Sequence, residues 1–154
     1  MSESTFDKIM RKTGCKPVNC KCEQCKNQCR RAPCLGTPED ILKLIEAGFV
    51  DKLEVVEWAT ALFLGRVDYT IKIISVKQTS KGCIFFENGL CKLHDLGLKP
   101  TEGRLSHHTI MVDNYQFNKS LSWNVAKTWV GEENKEKVVK VFSRFYEKRT
   151  LLQR

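Results

Sequence analysis

CKPVNCKCEQCKNQCRRAPC, residues 15–34, places six of the chain's eight cysteines within twenty positions. Thiols at that density cross-link one another, hold a metal or exchange electrons, and the rest of the chain discriminates among these. A length of 154 residues predicts a single domain, 1–154, large enough to bury a hydrophobic core without covalent staples. Cysteine is 8 of 154 residues, about 5%, below the roughly 8–10% of short disulfide scaffolds. The start, Met-Ser-Glu-Ser-Thr-Phe-Asp, has neither the basic flank nor the apolar run of a secretion signal. The expected compartment is therefore a reducing cytoplasm, where disulfides are disfavoured. No stretch approaches the roughly 18–20 apolar residues of a membrane span.

The formal charge of +8 reads as basic, but metal-bound cysteines are thiolates and change that balance. Eight thiolates remove eight charges and two divalent ions return four, leaving +4. Much of the remaining basicity lies in Lys135, Lys137, Lys140, Arg144, Lys148 and Arg149, which alternate with apolar residues at helical spacing. That pattern predicts a solvated helix face, with weak polyanion binding as the other reading.

Three parts follow from patterning: a cysteine-rich lobe (1–36), a helix, strand and hairpin core (37–109) and a helical C-terminal part (110–154). The lobe has no sustained apolar period and reads as shaped by ligation. Thr37-Pro38-Glu39-Asp40 is a helix start, with Thr37 as N-cap and Pro38 at the first helical position. That helix is predicted to run to about Ala47, with Ile41, Leu42, Leu44 and Ile45 apolar and Gly48 in a left-handed cap. A second helix is predicted over 51–64, burying Leu53, Val56, Trp58 and Leu62 and ending at Gly65. YTIKIISVK (69–77) reads as a strand, and CIFFENGLCKLH (83–94) as a hairpin about Asn88-Gly89. A loop is predicted from Leu96 to His108. Helical periodicity resumes in the tail, with Val125, Trp129, Val138, Phe142 and Phe145 inside and a break near Gly131-Glu132-Glu133. The expected class is α+β: an irregular cysteine-rich metal-bound lobe, a small antiparallel sheet or hairpin, and several packed helices.

Cys22, Cys25 and Cys29 fall at i, i+3 and i+7, so a helix would align their sulfurs; Cys22-Glu-Gln-Cys25 also matches the two-residue bite of a zinc knuckle. Cys15, Cys20 and Cys34 are near enough to join the same site or a neighbouring one. Cys83 and Cys91 admit a geometric test. A two-residue Asn88-Gly89 turn pairs Cys83 with His94 and Cys91 with Phe86, on opposite sides of the ribbon, so that the two could not share one ion; a three-residue loop puts them on the same face. A shared ion predicts the longer loop, and two small buried hydrophobes are the other reading.

Taken in order, CEQCKNQC (22–29), PCLGTPEDILKLIEAGF (33–49), CIFFENGLCKLH (83–94) and LKPTEGR (98–104) resemble the zinc- or iron-chelating cysteine-cluster proteins of the YkgJ type. The resemblance covers about residues 20–104 and implies metal binding through these cysteines. Two features depart from the family pattern: Cys25, Cys29 and Cys34 are separated where the family commonly has an adjacent pair, and Gly103 replaces its final cysteine. Cys15, His107 or His108 would compensate for that missing ligand.

The leading expectation is a largely structural metal centre drawn from Cys15, Cys20, Cys22, Cys25, Cys29, Cys34, Cys83 and Cys91. Zinc is favoured, and iron or an iron–sulfur cluster is the alternative. A metalloenzyme with an open ligand position, using Asp95, Glu102 or His108 as acid or base, is a second reading. A basic adaptor meeting nucleic acid or protein through Lys16, Lys21, Lys26, Arg30 and Arg31 is a third. His94 reads as a residue at the hairpin end, and neither partner nor substrate follows from these patterns.

Overall fold

The computed structural model describes residues 3–17, 33–87, 90–106 and 116–153. Ser4 caps helix α1 (Thr5–Thr13) by accepting from the Asp7 N–H at 3.1 Å, and Gly14 closes it at φ 75°. The sequence reads residues 1–36 as an irregular lobe shaped by ligation, so α1 is an addition to it. Ile9 is buried in a small cluster with Leu105 and Val125, against which Phe6 and Met10 pack. The apolar positions are few, but their spacing suffices once a partner surface exists.

Helix α2 (Pro38–Glu46) starts as read from the sequence: Thr37 and Asp40 form a capping box, each side chain accepting from the other's backbone N–H. Gly48 follows at φ 92°, a left-handed position glycine occupies without cost. The next segment differs from expectation. After a 3₁₀ turn over Val50–Lys52 the chain forms strand β1 (Leu53–Trp58), and only Thr60–Phe63, α3, is helical. β1 pairs antiparallel with β2 (Ile71–Val76) from Leu53↔Val76 to Trp58↔Ile71. The apolar residues of 53–58 satisfy both periods over so short a run, and Val55-Val56 beside an Ile-rich partner strand decides for the sheet. Leu53 is buried as expected, Val56 and Trp58 only partly so, and Leu62 is 37% exposed.

Two small ribbons follow: β3 (Gln78–Thr79) with β4 (Gly82–Cys83), and β5 (Phe86–Glu87) with β6 (Leu90–Cys91). Lys92–Asp95 is a helical turn, α4, so His94 lies just beyond the hairpin and partly buried. Part of the expected loop after Leu96 is helix α5 (Thr101–Leu105), whose Thr101 and Leu105 are buried. The tail forms α6 (Leu121–Ala126), 3₁₀ turns over Lys127–Trp129 and Glu132–Asn134, and α7 (Lys135–Leu152), with the break at its expected place.

The main core joins Ile41, Leu44 and Ile45 of α2, both strands, Phe85, Leu93, Trp129, Val141 and Phe145; Val138 and Phe142 pack against it from the side. The basic residues of α7 are exposed or half-exposed as read, yet two reach α2: Lys137 lies 3.6 Å from Glu39 and Arg144 3.8 Å from Glu46. The architecture is α+β, helices with a small antiparallel sheet. Among the described residues no helix is long and apolar enough to cross a membrane.

This packing carries a direct expectation. Phe145→Ala, at a fully buried site, should lower unfolding free energy by about 3–5 kcal/mol. Val139→Ala, on the exposed side of the same helix, should stay within about 0.5 kcal/mol in the same urea titration.

Candidate metal centre

Two segments far apart in sequence, 33–40 and 99–104, are bound to each other by reciprocal hydrogen bonds. The Leu35 N–H donates to Glu102 Oε1 at 2.9 Å, and the Glu102 N–H donates to the Leu35 carbonyl at 3.0 Å. Ser122 of α6 donates to Glu102 Oε2 at 2.8 Å. One turn along, Asp40 Oδ2 accepts from the Thr37 N–H at 3.0 Å, from the Thr101 N–H at 2.8 Å and from the Thr101 hydroxyl. Arg104 completes the group at 3.2 Å from Asp40 Oδ1, with its guanidinium 4.2 Å from the centre of the Phe6 ring. Trp129 Nε1 donates to the Gly36 carbonyl at 2.9 Å.

These contacts fix Cys34 against Gly103. A Cβ added at Gly103 would lie 2.7 Å from Cys34 Sγ and 3.0 Å from Lys99 Cε, closer than side-chain atoms pack. The position where the resembled family carries a cysteine is thus backbone over which the Cys34 sulfur sits.

The hairpin supplies two more sulfurs. Phe86 pairs with Cys91 and Glu87 with Leu90, the register of the two-residue turn. The rule that this register separates Cys83 from Cys91 assumed an unbroken strand from Cys83 to the turn. Instead Cys83 pairs with Gln78 in the preceding ribbon, and a turn at Ile84-Phe85 intervenes. Alternation of faces therefore does not carry through from Phe86 to Cys83. The N–H groups of Phe85 and Phe86 donate to the Cys83 sulfur, contacts that favour a thiolate.

The electrostatics join the three cysteines. Desolvation pushes the Cys34 thiol far up, the Glu102 carboxylate raises it further, and Cys91 and Cys83 add to the rise; Lys99 opposes. Cys34 retains some surface exposure but is crowded enough that a thiolate there is poorly solvated. Burial also pushes Cys83 up, against its two N–H donors and with Cys91 adding. Glu102 is itself raised by desolvation, which its bonds from Leu35 and Ser122 partly offset. Cys34, Cys83 and Cys91 share one electrostatic neighbourhood, and none of them is disulfide-linked.

Among the described residues no three His, Cys, Asp or Glu side chains are grouped closely enough to hold an ion. Cys20, Cys22, Cys25 and Cys29 lie outside the described residues, as do Lys21, Lys26, Arg30, Arg31, Asn88-Gly89 and the pair His107-His108. Cys15 packs instead against the Ile9–Leu105–Val125 cluster. Of the candidate acids and bases, Asp95 is exposed, and Glu102 spends both oxygens on Leu35 and Ser122. The roles of Glu102 and Asp40 as anchors were not read from the sequence; the only local signal was that acid, threonine and arginine cluster in KPTEGR. No family model matches the chain, nor does any curated protein or solved structure.

Gly103→Ala tests the close approach. The added methyl must displace Cys34 or Lys99, so stability should fall by about 1–3 kcal/mol. Cys34 should also gain reactivity toward an aromatic disulfide reagent, relative to the slow reaction that a thiol raised by burial gives in the parent chain.

Proposed function

We propose that this chain is a cysteine-ligated metal-binding protein whose ion, zinc in the first instance and iron as the alternative, cross-links the segments that carry its cysteines. Cys34, Cys83 and Cys91 are three of the ligands, and the cluster Cys20, Cys22, Cys25 and Cys29 supplies the rest. The observation that carries the reading is that Cys34, from the loop before α2, and Cys83 and Cys91, from the hairpin, lie outside any disulfide and near enough for both hairpin cysteines to raise the Cys34 thiol. The donor chemistry fits: soft thiolates suit zinc and iron, and the two N–H donors to Cys83 favour the charged form that binds a cation. A bound divalent ion supplies the positive charge that thiolates in this setting lack, which makes ligation part of the folding free energy of the region. The seven cysteines so assigned fill one four-coordinate centre and leave three ligands for a second. The resemblance to the cysteine-cluster chelators agrees with this reading and adds no reaction or partner to it.

Metal analysis with an ultraviolet–visible spectrum, on full-length protein purified without oxygen, is the decisive experiment. One or two zinc ions per chain with no visible band is the expected result. Iron with acid-labile sulfide would replace zinc by a cluster, and metal-free protein with oxidised cysteines would overturn the proposal. Cys34→Ser should lower the metal content, whereas Cys15→Ser should leave it unchanged.

Acidity gives an independent check. Because burial raises the thiols of Cys34 and Cys83 in the metal-free chain, zinc must displace their protons. Proton release on zinc addition should be measurable at neutral pH, and affinity should weaken about tenfold per pH unit for each proton displaced as the solution is acidified.

A further inference from the structure

A second concave feature, distinct from the cysteines, opens between α1 and the segment from α6 to Asn134. It is a cleft of about 330 Å³, at the small end of the range for ligand pockets, which suits a metabolite rather than a polymer. Lys8 and Lys12 border it from α1, and Lys127 faces them from the first turn after α6. Lys12 and Lys127 approach closely enough for their side chains to interact directly. Burial lowers Lys127, and Lys12 lowers it further, through that contact and through its charge; Glu133, the acid on the rim, opposes this. Among the described residues none of the three lysines forms an ion pair with a carboxylate. Two amines held near each other repel unless an anion lies across them.

A second observation points the same way. Asn124, 1% exposed, lines the cleft. Its Nδ2 donates to the Asn118 and Ser120 carbonyls at 3.0 and 2.7 Å, which fixes the orientation of the amide. The Oδ1 on the other side has no partner among the described residues. A buried acceptor left unpaired is costly, so native proteins rarely retain one without a water or ligand to meet it. Trp123 adds an aromatic edge to the wall.

We propose that this cleft binds a small phosphomonoester that also carries a hydroxyl group: the phosphate bridges Lys12 and Lys127 beside Lys8, and the hydroxyl donates to Asn124 Oδ1. Three lysines bordering one cleft match a multi-oxygen dianion better than a single carboxylate, and the unpaired oxygen requires a donor that the dianion of a phosphomonoester lacks.

The test is calorimetric titration of the full-length, metal-loaded protein with glycerol 3-phosphate, with methyl phosphate and inorganic phosphate in parallel. The Asn124 side-chain amide is followed by nitrogen-edited NMR. Saturable one-to-one binding of glycerol 3-phosphate is expected, at least fivefold tighter than methyl phosphate, with the Asn124 amide signal shifting. The double variant Lys12→Gln/Lys127→Gln should weaken binding at least tenfold at unchanged melting temperature, whereas Lys148→Gln on α7 should have no effect. Absence of saturation, or equal binding by the double variant, would overturn the proposal. Equal affinity for methyl phosphate would overturn the part assigned to Asn124. None of these readouts depends on which metal the cysteines hold.

Discussion

The reciprocal bonding of Leu35 to Glu102 is the constraint on which the rest depends. The backbone of one residue and the backbone and carboxylate of the other close a two-bond clasp between segments 67 residues apart. Asp40 extends the clasp by accepting from both sides of the junction. Leu35 packs against both hydrophobic clusters, so the same residue that anchors the loop also ties α1, α5 and α6 to the sheet and α7. Buried polar groups satisfied this fully specify one arrangement, because any slip leaves a charged acceptor without donors.

The clasp also concentrates negative potential. It brings the Glu102 carboxylate to the loop that carries Cys34, and the turn at Ile84-Phe85 brings in the hairpin cysteines. Burial drives Cys34, Cys83 and Glu102 toward their neutral forms, with Lys99 as the opposing cation at Cys34. A cation placed among them would reverse that balance, since its charge outweighs every local contribution. This is the physical argument for ligation here.

Helix α6 connects that neighbourhood to the lysine cleft. Ser122 holds Glu102 from one position, while Asn124, two residues on, lines the cleft. Its Ser120 cap and the Asn124 bonds to Asn118 and Ser120 keep this short helix in place. Trp123 between them stacks on Trp58 with ring centres 6.1 Å apart, tying the helix to the sheet.

How much of this could be read in advance depended on the range of the interaction. Thr37-Pro38-Glu39-Asp40 specified a helix start because a capping box is made within four residues. The long tail helix with its break, strand 71–76 and the hairpin were legible for the same reason, as local periodicity and turn chemistry. Residues 53–58 were not, since Leu53, Val56 and Trp58 suit either period and the choice belongs to the partner strand. Helices α1 and α5 are too short to declare themselves without the surfaces that bury Ile9 and Leu105. For the candidate centre, the sequence determined the supply of thiols and their local spacing. Only tertiary structure decided that Cys34, Cys83 and Cys91 share a neighbourhood, that Cys15 packs elsewhere, and that Glu102 and Asp40 serve as anchors. Such assignments arise from contacts across tens of residues, where each bond is formed only after the chain has closed the loop between its partners.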